Sequence, residues 1–240
     1  MSLARGHARP RTLLVATHSD HKLRELRELL HLPNSTLVSL DDVGIADDAV
    51  EDSETFDANA IAKARFYAAR SGLPTLADDS GIEVDALGGR PGVRSHRYAH
   101  EDASDEENNQ ALLAELSGVA PELRTARYRC SLVLAELAMS GTEGGRPAVG
   151  GGHPASRSAH AGEAATSAAR ITIRRGTFEG RIAAAPRGTG GFGYDPLFEP
   201  ATEPPGGRTV GLYSAAEKHR VSHRARAARA MRRVLVGRGY

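Results

Sequence analysis

Two adjacent aspartates, Asp78 and Asp79, stand at the end of an apolar run in "LADDSG". Neighbouring side chains on an extended chain point to opposite faces, so the two carboxylates divide their work. One holds structure while the other faces a site. Carboxylate oxygens suit a hard divalent ion such as magnesium; an acidic turn is the plainer alternative. Glu51, Asp52 and Glu54 precede a helix start, where acids favour the helix dipole without any further role. A metal role requires one of them to meet Asp79 in space. "THSDHK", Thr17 to Lys22, lies between a strand and a helix N-terminus. Free amides and the positive end of the dipole there suit phosphate, and Lys22 adds a cation. The stretch is not a Walker A loop, because the glycines are missing. In "EKHRVSHR", Lys218, His223 and Arg224 flank a helix start capped by Ser222, a set able to grip a polyanion. The later arginines, Arg226, Arg229, Arg232 and Arg233, read as a solvated basic face. "GTGGFGYDPLF", residues 188–198, sets four glycines around Phe192, Tyr194 and Asp195. That density implies either a turn or a backbone that approaches something closely. His18 and His21 lack a third ligand, so zinc is not indicated, and no Ser-His-Asp or Cys-His arrangement is present.

These residues need elements to place them. "TLLVAT" reads as a short buried strand. In "SDHKLRELRELLHL" the near-3.6 spacing of Leu23, Leu26, Leu29 and Leu30 predicts a helix, capped by Ser19 or Asp20, with Arg24 and Glu28 on its exposed side. "TFDANAIAKARFYAARSG" predicts a second helix, with Thr55 as N-cap and Gly72 as its stop. "TLADDSGIEVDAL" reads as an apolar run, a polar break and an alternation at Ile82, Val84 and Ala86. "LGGRPGVRS" is a loop. "SDEENNQALLAEL" is a third helix with Ser104 and Glu107 spaced as a capping box. Tyr128, Cys130, Leu132 and Leu134 alternate as a strand, "RITIRRGTFEGRI" returns to strand character, and "SHRARAARAMRRVLV" closes the chain as a helix. Residues 1–11 read as a flexible tail. Residues 139–168, rich in Gly, Ala and Ser without apolar period, read as a mobile insertion. Strands and helices intermix, so the fold class is mixed α/β.

The 240 residues fit one large domain or two small ones and are enough to bury a real core. With 31 basic against 30 acidic residues the net charge is +1, so a global polyanion-binding surface is not indicated. Cys130, the single cysteine, excludes an intrachain disulfide and a cysteine-based metal site. No run approaches the ~20 apolar residues of a membrane span. A cytoplasmic protein is expected.

Taken in order, "LLVATHSDHKLREL", "TFDANAIAKA", "LADDSGIEVDALGGRPGVRSHRY", "GTGGFGYDPLF" and "EKHRVSHR" closely resemble the inosine/xanthosine triphosphate pyrophosphatases, over about residues 12–236. The resemblance implies an elongated mixed α/β domain, with two lobes around a long central sheet and the nucleotide in the cleft between them. It implies a homodimer, a magnesium-dependent reaction, and no stable nucleic-acid partner or membrane. Water attacks between the α and β phosphates of inosine, deoxyinosine or xanthosine triphosphate, releasing the monophosphate and pyrophosphate. Carried over by position, Thr17, His18, Ser19, Asp20, His21 and Lys22 cradle the triphosphate. Asp79 is the catalytic carboxylate and holds magnesium with Glu51, and Ser80 touches substrate. Phe192, Gly193, Tyr194, Asp195, Lys218, His223 and Arg224 bind the nucleotide. On this reading Phe192 stacks on the purine and the glycines let backbone N–H groups reach it. The chain departs from the family pattern at His18-Ser19, where Gly-Asn is usual, and at Val50, where the first of two acids is usual. Rival readings are a pyrophosphatase for other nucleotides and a non-catalytic nucleotide- or RNA-binding protein.

Overall fold

The computed structural model describes residues 10–137 and 169–240. The expected insertion at 139–168 and most of the expected tail lie outside the described residues. A six-stranded sheet of order β2-β1-β3-β4-β5-β6 runs through the molecule. β1 (Arg11–Val15), β2 (Ser35–Val38) and the start of β3 (Thr75–Val84) are parallel. β3, β4 (Thr125–Glu136), β5 (Arg170–Ile182) and β6 (Phe198–Pro200) are antiparallel. Among the described residues the α-helices are α1 (Asp20–Leu30), α2 (Phe56–Ser71), α3 (Asp105–Glu115), α4 (Ala215–Val221) and α5 (His223–Gly237).

Strand alternation sorts the core. Leu76, Cys130, Leu132 and Leu134 point to one face and pack with Leu26 and Leu30 of α1 and Ala228, Met231 and Leu235 of α5. Ala77, Val133 and Ala135 point to the other face and meet Ala60, Ala64 and Ala68, which recur every four residues along α2. Small side chains at that spacing let α2 lie close to the sheet. Farther along the sheet Ile82, Val84, Ala126, Tyr128 and Phe178 form a third cluster with Leu112 of α3, with Leu116 just past its end, and with Tyr194, Leu197 and Phe198. Each fully buried large apolar side chain contributes about 1.5–3 kcal/mol.

The expected caps form: Ser19 accepts from the Lys22 amide, Thr55 from Ala58, and Ser104 with Glu107 makes a capping box. Several details differ from the sequence reading. β3 is one continuous strand with no polar break, because Asp78 and Asp79 are both accommodated inside the sheet, and it ends at Val84, with Ala86 in a 3₁₀ turn. β1 takes in Arg11, and Tyr240 is buried with its hydroxyl donating to Glu136, so packing extends beyond 12–236 at both ends. Glu28 meets His219 of α4 at 3.4 Å.

Candidate active site

Because β3 alternates, Asp78 and Asp79 leave the strand on opposite faces. The Asp79 carboxylate lines a cleft of about 640 Å³ on the side covered by α2. Its Oδ2 accepts from Asn59 Nδ2 at 3.1 Å and its Oδ1 from the Ser80 amide at 3.0 Å. Burial raises its pKa; Lys22, Lys63 and Asn59 act against that rise, and Glu51 adds to it. Lys63 stands one turn beyond Asn59 on α2. Its Nζ lies 2.7 Å from Glu51 and donates to the Asp78 carbonyl at 3.4 Å. Arg97 donates to the Glu51 carbonyl at 2.8 Å, so that acid is fixed from two sides.

Asp78 turns away from the cleft into a chain of buried charges. Arg224 donates to its Oδ2 from Nε at 3.2 Å and Nη2 at 3.1 Å, and to Ser80 Oγ at 2.8 Å. Arg224 Nη1 continues to Glu25 at 2.6 Å; Glu25 meets Lys218 at 2.8 Å, and Lys218 meets Asp195 at 2.6 Å. Lys22 lies 3.5 Å from Asp78 at the far end. Burial alone would raise the Asp78 carboxyl, but Lys22, Arg224 and Lys63 together hold it well below the usual range. Glu25 follows the same logic, with Arg224 and Lys218 outweighing its burial. The division of labour expected for "ADDSG" is therefore present in the geometry: Asp78 is a structural anion and Asp79 faces the cleft.

The start of α1 presents backbone donors of the kind that suit an anion. Thr17 Oγ1 accepts from the Ser19 amide at 3.1 Å, and Ser19 Oγ accepts from Lys22. The Asp20 and His21 amides are the first-turn donors without a partner among the described residues. Serine at position 19 commits its oxygen to the cap. His18 Nε2 lies 3.2 Å from both Tyr67 Oη and Asp48, tying this turn to the acidic segment before α2. The His21 ring turns toward the glycine-rich loop and stacks on Phe192, with centroids 5.1 Å apart and planes at 15°.

The glycine-rich loop answers its own question differently from the sequence reading. Gly191 has φ +76° and an added Cβ would lie 2.0 Å from Asp195 Oδ2; one on Gly188 would lie 2.1 Å from the Gly211 carbonyl. The glycines allow the loop to fold on itself. Its amides are engaged too: Phe192 donates to Asp195 at 3.0 Å and Gly193 to Asp105 at 2.6 Å, while Asn109 holds the Gly193 carbonyl at 3.1 Å. These N–H groups are not free for a ring. Tyr194 is a core residue whose hydroxyl donates to the Ser95 carbonyl at 2.8 Å. Phe192 remains on the cleft wall, with Lys218 Nζ 4.3 Å and the Arg224 guanidinium 5.5 Å from its centroid. His223 is buried and stacked on Tyr128 at 4.6 Å and 9°. Burial, then Arg224 and Lys218, push its pKa well down, so the imidazole is neutral, and its Nδ1 has no partner among the described residues.

All the expected residues from Thr17 to Arg224 line this one cleft. The donor set suits magnesium. Asp79 and Glu51 offer hard oxygen donors, and Glu51 adds to the raised pKa of Asp79, a repulsion that a dication would relieve. Magnesium is ordinarily held by one or two carboxylates with substrate phosphates and water. Among the described residues no group of three or more His, Cys, Asp or Glu forms a cage. Sequence reasoning missed Asn59, Lys63, Glu25, Asp105 and Asn109. The signals were the four-residue spacings: Asn59, Lys63 and Tyr67 mark one face of α2, and Asp105 and Asn109 one face of α3.

Comparison with known proteins shows which family and which solved structures the chain is similar to. The Ham1 family model matches residues 13–234. A dITP/XTP pyrophosphatase of Geobacter sulfurreducens is 42% identical over 215 residues, covering 90% of this chain and 92% of its own length. One from Symbiobacterium thermophilum is 43% identical, covering 90% of each. Among solved structures, a HAM1 protein from Coxiella burnetii superposes with TM-score 0.73 at 33% identity, covering 95% of this chain and 99% of that one. The nucleoside-triphosphatase, or dITP/XTP pyrophosphatase, of Mycobacterium abscessus gives 0.65 at 34% identity, with 92% and 98% covered.

Proposed function

The chain belongs to the Ham1 family, and from that premise we propose that it is a nucleoside-triphosphate diphosphatase. It hydrolyses inosine, deoxyinosine and xanthosine triphosphates to the monophosphate and pyrophosphate. The observation that carries this reading is the pairing of two ends in one cleft. A raised-pKa carboxylate flanked by Lys22 and Lys63 stands at one end, and the Phe192 wall with Lys218 stands at the other.

On this reading the Asp20 and His21 amides and Lys22 bind the phosphates, and Lys63 neutralises charge beside them. Asn59 and the Ser80 amide orient the Asp79 carboxylate toward the attacking water, whose proton it accepts. Asp79 and Glu51 would hold magnesium, which when bound neutralises phosphate charge and lowers the pKa of water. Asp78 stays clear of the reaction, fixed by Arg224. The same reading makes the protein a cytoplasmic homodimer acting through one domain, residues 12–236 together with Arg11 and the buried Tyr240 that pack onto it. No described helix is long and apolar enough to cross a membrane.

The test is pyrophosphate release from inosine triphosphate against adenosine triphosphate, with and without magnesium. Faster, magnesium-dependent release from the inosine substrate is expected. A site built to pair a substrate oxygen rejects a mismatched group by up to about 10⁴-fold. Equal rates for both purines, or no release at all, defeat the reading. Phe192→Ala is expected to weaken both substrates through lost stacking, worth about 1–3 kcal/mol per base. His223→Ala is expected to narrow the inosine-to-adenosine ratio of kcat/KM, because a neutral imidazole can donate to a 6-oxo group but presents the same donor to a 6-amino group. An unchanged ratio removes His223 from base reading.

A further inference from the structure

Three side chains crowd the Phe192 ring: the His21 imidazole, Lys218 Nζ and the Arg224 guanidinium. They are not held alike. Lys218 is buried and tied to both Glu25 and Asp195. Arg224 is buried and tied to Glu25 and Asp78. His21 is exposed, on the first turn of α1, and among the described residues no hydrogen bond or ion pair holds its ring. Its one specific contact is the near-parallel stack on Phe192. Such aromatic pairs contribute only modestly beyond the area they bury.

The separation matters. At 5.1 Å between centroids the two rings are in direct contact. Inserting a third ring requires two successive contacts of about 3.5 Å each, so a base cannot enter between them without moving one. Phe192 is fixed through its own amide, which donates to Asp195, and through Gly193, which Asp105 and Asn109 grip on both sides. The mobile partner is therefore His21, whose exposed side chain swings into water at little cost.

We propose that His21 is an internal stand-in for the base: its imidazole covers the Phe192 face in the free protein, and a purine takes that face by displacing it. This rests on Phe192 being the base wall. His21 thus lowers affinity for the base part of any substrate and leaves the phosphate part alone, although it sits in the turn that faces phosphate. The device keeps an exposed apolar ring covered while the cleft is empty.

The probes are inosine, which has a base and no phosphate, and inorganic tripolyphosphate, which has phosphates and no base, each as a competitive inhibitor of inosine triphosphate hydrolysis. In His21→Ala the inhibition constant of inosine is expected to fall about threefold to tenfold, the scale of one lost aromatic pair. The KM for inosine triphosphate falls with it, and the tripolyphosphate constant stays within twofold. Weaker inosine binding means that the imidazole sandwiches the base, and overturns the proposal. Weaker tripolyphosphate binding with unchanged inosine returns His21 to the phosphate cradle and overturns it too. Phe192→Ala separates the two levels. If it weakens inosine while His21→Ala does not tighten it, this inference alone falls; if inosine is indifferent to Phe192, the base wall and the stand-in fall together.

Discussion

Asp79→Asn is expected to leave a folded protein whose hydrolysis of inosine triphosphate is slower by about 10²- to 10⁴-fold, the usual worth of a positioned proton acceptor. Shape is preserved, but the charge is lost and one of two accepting oxygens becomes a donor. Asp79 accepts from Asn59 Nδ2 and from the Ser80 amide, so one contact then faces donor to donor. That mismatch costs about 1–3 kcal/mol of stability. Thermal melting therefore has to accompany the kinetics, with rates measured well below the variant's transition. The expected signature is a large fall in kcat and a weakened dependence on magnesium, since the same carboxylate is assigned to the metal. A folded variant with near-normal turnover would take the catalytic role away from Asp79.

Arg224→Met is expected to produce the largest loss of stability. Arg224 is 1% exposed, and its guanidinium is shared by Asp78 and Glu25. Methionine fills similar space and removes the one cation that the two anions share, leaving Asp78 with Lys22 and Glu25 with Lys218. Breaking a buried pair by removing one member costs about 3–5 kcal/mol, and in a chain of this size each kcal/mol lowers Tm by about 2–4 °C. The effect also has a pH signature. In the fold Glu25 and Asp78 are held below their ordinary values. Their ion pairing therefore contributes stability above the unfolded pKa values and loses it as pH falls through the folded ones. The variant forfeits the part of that contribution that Arg224 supplies. The gap in Tm between it and the wild type should be widest near neutrality and should narrow toward acid; a gap constant with pH would show that packing, rather than charge, accounts for the loss.

What could be read from the sequence was what is encoded locally. Ser19, Thr55, Ser104 and Ser222 announce helix starts because a cap bonds within three residues of itself. The alternation at Tyr128, Cys130, Leu132 and Leu134 reveals one face of β4 for the same reason. The elements that went unread are short or irregular. β2 has four residues with no fully buried one, and β6 has three, ending in Pro200. α4 has seven, although Ser214 and Glu217 form its capping box. At the site, the motifs located the cleft, while the contacts that set its geometry were hidden by distance along the chain. Arg224 reaches Asp78 across 146 residues and Glu25 across 199, and Asn109 reaches Gly193 across 84. No periodicity reports such pairings. The stack of His21 on Phe192 belongs to the same kind: the turn that carries His21 reads as a phosphate site, and only the folded arrangement brings its ring to the opposite end.

The antiparallel ladder has a consequence for how the molecule opens. β3 pairs with β4 along ten residues and β4 with β5 along twelve, while β2 and β6 contribute four and three at the edges. The middle of that ladder lies beneath all three apolar clusters, since β4 supplies Leu132, Val133 and Tyr128 to one each. Amide hydrogen exchange should therefore be slowest in β4 and nearly uniform along it, with β2 and β6 exchanging first through local fraying. The Asp79 and Phe192 halves of the cleft would share one cooperative opening event, because neither can release its strand segments without breaking the ladder that supports the other.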